Sequence, residues 1–150
     1  MRGYSAIGLF NPKDRLNVGS VLRAAGCYEA SLIAVSGKRP ANYIGRIATD
    51  TQKAYKHIPV IRCDDLHDVI PYDCIPVAVD LIDGAKPLHQ YQHPERAFYI
   101  FGPEDGTLGK QVTQWCKDCV YVPTKFCMNL AATVNVVLYD RARKRGFPGE

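Results

Sequence analysis

Four stretches of this chain carry side chains able to do chemistry. In TKFCMN, Thr124 to Asn129, a thiol (Cys127) and an amide (Asn129) sit between a short apolar run and a long amphipathic one. In FGPEDGTLGK, Phe101 to Lys110, Glu104 stands in a glycine- and proline-rich turn behind Gly102. In NVGSVLR, Asn17 to Arg23, an arginine lies among Leu22, Ala24 and Ala25. The fourth is Cys116-x-x-Cys119. Each has a plain structural explanation. Asn129 sits where a helix N-cap belongs. A glutamate in a Gly/Pro turn is usually solvated, and an arginine on a helix usually makes a surface ion pair. A guanidinium offers only donors and stays protonated, so Arg23 can grip an anion but is a poor base. Cys127 is a potential nucleophile, yet no general base stands beside it in sequence. The loop after Phe101 is neither GxGxxG nor a P-loop. A single CxxC without a second pair or nearby histidines reads as core thiols, so no metal is expected; Cys63 and Cys74 are not such a pair.

The elements that must hold these residues can be read from periodicity. Apolar strands are expected over Tyr4–Phe10, Ser31–Val35, Ile58–Arg62, Ile75–Ile82, Ala97–Phe101 and Cys119–Pro123. Pro59 suggests that the third is an edge. Helices are expected from Asn17, as N-cap, to about Tyr28, and over Ile44–Ala54, Asp64–Ile70, Leu108–Trp115 and the last sixteen or so residues before Gly146. The last carries Leu130, Ala131, Val134, Val137 and Leu138 at helical spacing. It ends in Arg141, Arg143, Lys144 and Arg145, the charge a helix C-terminus favours, before Gly146 and Pro148. His89, Gln92 and His93 read as a polar loop, and Lys38, Arg39, Arg46 and Lys53 as a basic segment.

Strands alternating with helices predict an α/β fold, an open and mostly parallel sheet with helices on both faces. A chain of 150 residues suits one domain spanning 1–150. At 47% hydrophobic and 23% charged it has the composition of an ordinary soluble protein. No apolar run reaches membrane-spanning length, and the first residues lack a signal-peptide pattern, so no membrane association and a cytoplasmic location are expected. A net charge of +4 is compatible with nucleic acid without requiring it. Ligands of open α/β sheets bind beyond the carboxyl ends of the strands, and three of the four stretches lie at or follow such ends.

Taken together, N-x-G-x-x-x-R, then F-G-P-E, then V-P…M-N-L-x-x-x-V resemble the three motifs of the SpoU/TrmH group of SPOUT RNA methyltransferases. The ending C-M-N-L…V-V-L-Y-D…G-F-P-G is most similar to the short TrmL-type tRNA (cytidine/uridine-2'-O-)-methyltransferases. The resemblance covers nearly the whole chain. It implies a C-terminal trefoil knot and a homodimer whose active site draws on both subunits. It also implies S-adenosylmethionine as methyl donor, S-adenosylhomocysteine as product, and tRNA as substrate. By the same resemblance, Arg23, Asn17, Glu104, Asn129 and Cys127 form the catalytic set, and Leu81, Gly102, Val122, Met128 and Leu130 line the cofactor site. Arg23 is the family's catalytic arginine, and holding a phosphate so as to orient the 2'-hydroxyl suits a guanidinium better than basicity does. The chain departs from the pattern at Cys127, where the family usually has serine, and at Ala131, where many of the wider group have a hydroxyl. The expected activity is 2'-O-methylation at the anticodon wobble nucleotide. The alternatives are rRNA or another tRNA position, or a catalytically weak RNA-binding protein that kept the fold.

Overall fold

The computed structural model describes residues 3–39 and 58–149. The helix expected over Ile44–Ala54, with Arg46 and Lys53, lies outside the described residues. Seven strands form one sheet: β1 (Tyr4–Phe10), β2 (Leu32–Ser36), β3 (Val60–Cys63), β4 (Ile75–Val79), β5 (Lys86–Pro87), β6 (Arg96–Phe101) and β7 (Asp118–Tyr121). Their order is β3-β2-β1-β6-β4-β7-β5, and every pairing is parallel. β3 is an edge, as Pro59 suggests. Among the described residues the helices are α1 (Arg15–Cys27), α2 (Lys110–Thr113) and α3 (Leu130–Arg145), with 3-10 turns at Leu66–Val69 and Leu88–Gln90.

The central strands are buried on both faces, which is why they read as continuous apolar runs. Along β6 the alternation assigns Tyr99 and Phe101 to one core and Phe98 and Ile100 to the other. The first core packs Val18, Val21, Leu22 and Ala25 of α1 and Val134, Val137 and Leu138 of α3 over the sheet. The second packs Leu66, Leu108 and Val112 against Ala34, Ala78 and Phe98. β7 enters between β4 and β5, two strands consecutive in the chain. The segment leading into α3 therefore leaves the sheet from its interior.

Most element boundaries shift by one or two residues from the sequence expectation, and three elements differ in ways that bear on the site. The N-cap of α1 is Asp14, whose carboxylate accepts Leu16 N at 2.8 Å; Asn17 lies within the first turn. β4 stops at Val79 rather than Ile82, because the Asp80 side chain turns the chain by accepting the Leu81 N–H. Leu81 is consequently in a loop and 75% exposed. α2 is only one turn long. Gly109, at φ 72°, breaks the backbone before it, and Trp115 N and Cys116 N bond three residues back.

The largest departure concerns polarity. His93, read as part of a polar loop, is buried, and Arg141, read as a helix-terminal charge, is buried too. Arg141 Nη1 donates to Pro94 O (2.8 Å) and Tyr99 Oη (3.0 Å), and Nη2 to Glu95 O (2.7 Å) and Tyr4 O (3.4 Å). His93 lies 2.7 Å from both Tyr99 Oη, through Nδ1, and Asp140 Oδ2, through Nε2. Since the Tyr99 oxygen accepts from Arg141, its proton goes to Nδ1, and Nε2–H donates to Asp140. That is neutral histidine with every atom satisfied. Burial drives the His93 pKa down, with help from Arg141 and Lys144, against the opposing pull of Asp140. Burial likewise pushes the Tyr99 phenol up to about 12. Lys144 closes the network, reaching Asp140 (2.8 Å), Leu88 O and Tyr91 O.

A folded-state histidine pKa below the unfolded value gives stability that is present above the unfolded pKa, about 6.5, and lost as pH falls through the folded one. His93→Ala should cost about 1–3 kcal/mol at pH 8 by leaving the buried Tyr99 hydroxyl proton without an acceptor and Asp140 with Lys144 alone. It should also flatten the loss of stability below pH ~6.5. Urea titrations of both proteins across pH measure this; an unchanged acid slope would contradict the neutral assignment.

Candidate functional site

Three loops leave the carboxyl ends of β4, β6 and β7 and meet. Between them lie two adjoining cavities of about 290 and 170 Å3. Both are walled by Val79, Asp80, Cys127, Met128 and Thr133. The larger adds Leu81 and Val122, and the smaller adds Gly102, Glu104 and Leu130. The fold thus gathers Leu81, Gly102, Val122, Met128 and Leu130 with Glu104 and Cys127. A further cavity, near Gly3 and Gly146 at the opposite ends of the strands, is smaller (about 130 Å3). The Arg141 that reaches it is already engaged with the four acceptors named above.

Each loop is fixed by a side chain that accepts backbone N–H groups. Asn129 caps α3: its amide oxygen accepts Ala132 N at 2.7 Å, and its carbonyl accepts the Thr133 hydroxyl at 2.9 Å. Its amide nitrogen has no partner among the described residues. Glu104 is not simply solvated. Its carboxylate accepts Lys13 N (2.9 Å), Asp14 N (3.0 Å) and Asn17 Nδ2 (2.9 Å), tying the loop after β6 to the start of α1. Partial burial works to raise the Glu104 pKa, but the hydrogen bonds from Lys13, Asn17 and Asp14 outweigh it, and the carboxyl ends below its ordinary value. Beside it, Asp105 is paired with Arg39, Nη1–Oδ2 2.9 Å and Nη2–Oδ1 3.2 Å, which holds that carboxyl low as well.

Asp80 was not singled out by sequence reasoning. One carboxylate oxygen accepts Leu81 N at 2.8 Å and the other Leu108 N at 3.0 Å, so it joins the loop after β4 to the loop after β6. The signal for it was an acidic residue closing the strongly apolar run Ile75–Val79. Arg23 behaves differently from the rest of the set. It is exposed on α1, lines neither cavity, and makes no hydrogen bond or ion pair among the described residues. Asn17 reaches Glu104 and not Arg23.

The thiols divide by environment. Burial, with the neighbouring Cys119, raises Cys116 to about 12; burial, with Asp80, raises Cys119 to about 11. Both are protonated and inert at neutral pH. Cys127 is exposed on the shared cavity wall. Among the described residues no group of three or more His, Cys, Asp and Glu could hold a metal, and no helix is long and apolar enough to cross a membrane.

The arrangement is a partly apolar cleft with preset loops, suited to a small polar ligand with a flat apolar part; Asn129, at the start of α3 beside it, lines neither cavity. Replacing Asp80 with asparagine leaves one acceptor for two N–H groups. It should cost about 1–3 kcal/mol and expose the Leu108 amide to exchange. Chemical denaturation with amide exchange tests this; a protected Leu108 amide in the variant would contradict it.

The model of the SpoU rRNA Methylase family matches residues 5–139. No curated protein sequence matches the chain. Among solved structures, the rRNA methyltransferase from Sinorhizobium meliloti superposes with a TM-score of 0.82 at 20% identity, covering 94% of this chain and 56% of that one. The SpoU methyltransferase AviRb from Streptomyces viridochromogenes, in complex with AdoMet, gives 0.85 at 18%, covering 95% and 58%. A structure from work on the 2-OH methylation of C/U34 on tRNA gives 0.81 at 18%, covering 96% and 97%. The chain spans less than two thirds of the first two, and nearly all of the third.

Proposed function

We propose that this chain, which belongs to the SpoU rRNA Methylase family, is an S-adenosylmethionine-dependent tRNA ribose 2'-O-methyltransferase acting at the anticodon wobble nucleotide. The observation that carries the proposal is the convergence of the F-G-P-E loop and the V-P…M-N-L segment on one cleft, beside the loop after β4. The two-way coverage of the structure from the C/U34 work supports the choice of tRNA. The reading includes one domain, the family's knot, built where β7 and α3 leave the sheet interior, and a cytoplasmic location.

The residues present fit the cofactor. The nearest atoms that a Cβ on Gly102 would meet belong to Leu108, at 3.4 Å or more, which is ordinary contact, so glycine is not demanded by the protein's own packing there. Its absent side chain instead keeps the cavity wall open. Val122, Met128 and Leu130 supply apolar surface for adenine, and Leu81 forms the rim. Bound there, the cofactor would supply an electrophilic methyl group for a ribose 2'-hydroxyl, whose proton would pass to water or to a group on the RNA. The chain's own part is alignment. Asn129 Nδ2 is available to a ligand oxygen. Asn17 and Glu104 act together as positioning residues, since each is engaged with the other. Cys127 faces the same space with a thiol, a weaker hydrogen-bonding group than serine, so we assign it a packing role rather than proton transfer.

Arg23 does not line the cleft of its own chain, and the reading therefore requires a second copy to bring it there. The exposed apolar side chains Leu16 on α1 and Val136 and Tyr139 on α3 support a homodimer through these helices.

Labelled methyl transfer to bulk tRNA, followed by mapping of the modified nucleotide, tests the function. Wild type should place the label on a 2'-oxygen, and Gly102→Val should fold yet lose both cofactor binding in calorimetry and transfer. Unchanged affinity in that variant would remove the assigned site. Cofactor binding without transfer to any RNA would favour the catalytically weak alternative.

Arg23→Lys separates grip from basicity. It keeps the charge but loses the bidentate fork, so single-turnover methylation should fall on the order of 100-fold with cofactor binding intact. The rate should stay low across pH. Recovery as pH approaches about 10, absent in Arg23→Ala, would make the residue the proton acceptor.

A further inference from the structure

One feature of the cleft is used by neither the fold nor the proposed chemistry. Phe126 is 77% exposed, although it stands between cavity residues in the loop that leads from β7 to α3. A phenyl ring held in water gains nothing for the fold, and this one belongs to neither core. Its backbone is nevertheless pinned: the Thr124 hydroxyl donates to Phe126 O at 2.7 Å, closing a tight turn. Lys125 Nζ stands 5.6 Å from the ring centroid. Leu81, also exposed, lines the same cavity, so two exposed apolar side chains belong to one opening.

We infer that Phe126 is a stacking platform for a nucleobase of the RNA substrate next to the ribose being methylated, with Lys125 serving that nucleotide's phosphate. The inference rests on the proposed function and names the contact by which the substrate is held. A flat exposed ring beside a flexible cation matches a nucleotide, which is an aromatic plane with an anion a few bonds away. Stacking suits a base that has left its own stack, as it must if its ribose is to reach the cleft. The same pairing fits a second copy of this chain poorly. The exposed apolar residues of α1 and α3 offer that partner a separate surface, and a lysine over the ring is costly to bury in an apolar contact. The cofactor is the other competitor for the ring. Its adenine already has Val122, Met128 and Leu130 in the interior of the cleft, whereas Phe126 lies at the outside.

The test uses the full chain, fluorescein-labelled bulk tRNA in an anisotropy titration at fixed salt, and calorimetry with S-adenosylmethionine. Phe126→Ala should weaken tRNA binding roughly tenfold. Phe126→Trp should restore it, and Phe126→Leu, which keeps apolar bulk and guards against a folding defect, should not. The cofactor Kd and the mass by light scattering should stay at wild-type values in all three. Lys125→Ala should weaken binding and lower its salt dependence. Tryptophan and leucine restoring binding equally would overturn stacking. A loss confined to cofactor affinity would make Phe126 a cofactor lid, and a changed mass would make it an interface residue; either overturns the inference. A wild-type chain that binds no tRNA and transfers no methyl group removes the proposed function itself. Tight wild-type binding that is unaffected in Phe126→Ala removes only this contact.

Discussion

The Arg141 guanidinium is the contact on which the placement of α3 depends. A cation taken from water into a protein interior costs several kcal/mol unless its donors are matched. Here they meet three backbone carbonyls and a phenol: Pro94 and Glu95 ahead of β6, Tyr4 at the start of β1, and Tyr99 within β6. Those acceptors lie on or just ahead of two strands that are neighbours in the sheet, so one planar group fixes the C-terminal half of α3 against both. A helix is stiff over its sixteen residues. Fixing its far half sets the near end, where Leu130 and Thr133 line the cleft and Asn129 caps the helix. Lys144 and His93 add acceptors and donors to the same region, which explains the low tolerance expected for polar loss there.

The cleft itself is built on a repeated device. Asp14, Asp80, Glu104 and Asn129 each present side-chain oxygen to backbone N–H groups at a loop or helix start. Such bonds hold loops without filling the space between them with side chains. The walls of the cavity can then remain apolar and open while its outline is set before any ligand arrives, which is the condition for binding without a large ordering cost. The outline is also where the resemblance to the family's motifs is incomplete. Cys127 stands on the shared wall in place of a hydroxyl, and the oxygen acceptors around it are already occupied by backbone donors. In the proposed reading, alignment rather than a relay of protons is the work assigned to these residues.

Much of this was determined by the sequence alone. Strands buried on both faces must be continuous apolar runs, so their number, order along the chain and parallel pairing were legible, apart from the two-residue β5. The amphipathic period of α3, its asparagine cap and its Gly146 stop are local events and were read correctly. The three motif stretches named most of the residues that the cleft brings together, because strand ends are where such sites form. Only the tertiary structure decided the rest. Competition between neighbouring caps placed the start of α1 at Asp14, and the side chain of Asp80 ended β4 early. The insertion of β7 between β4 and β5 depends on contacts remote in the chain. So do the burial of His93 and Arg141, the capture of Glu104 by α1, and the separation of Arg23 from its own cleft. A polar residue's type states what bonds it can make. Which bonds it makes is set by partners 40 to 140 residues away, as for Arg141 with Tyr4 and Pro94, and the free energy that selects them exists only once the sheet has assembled.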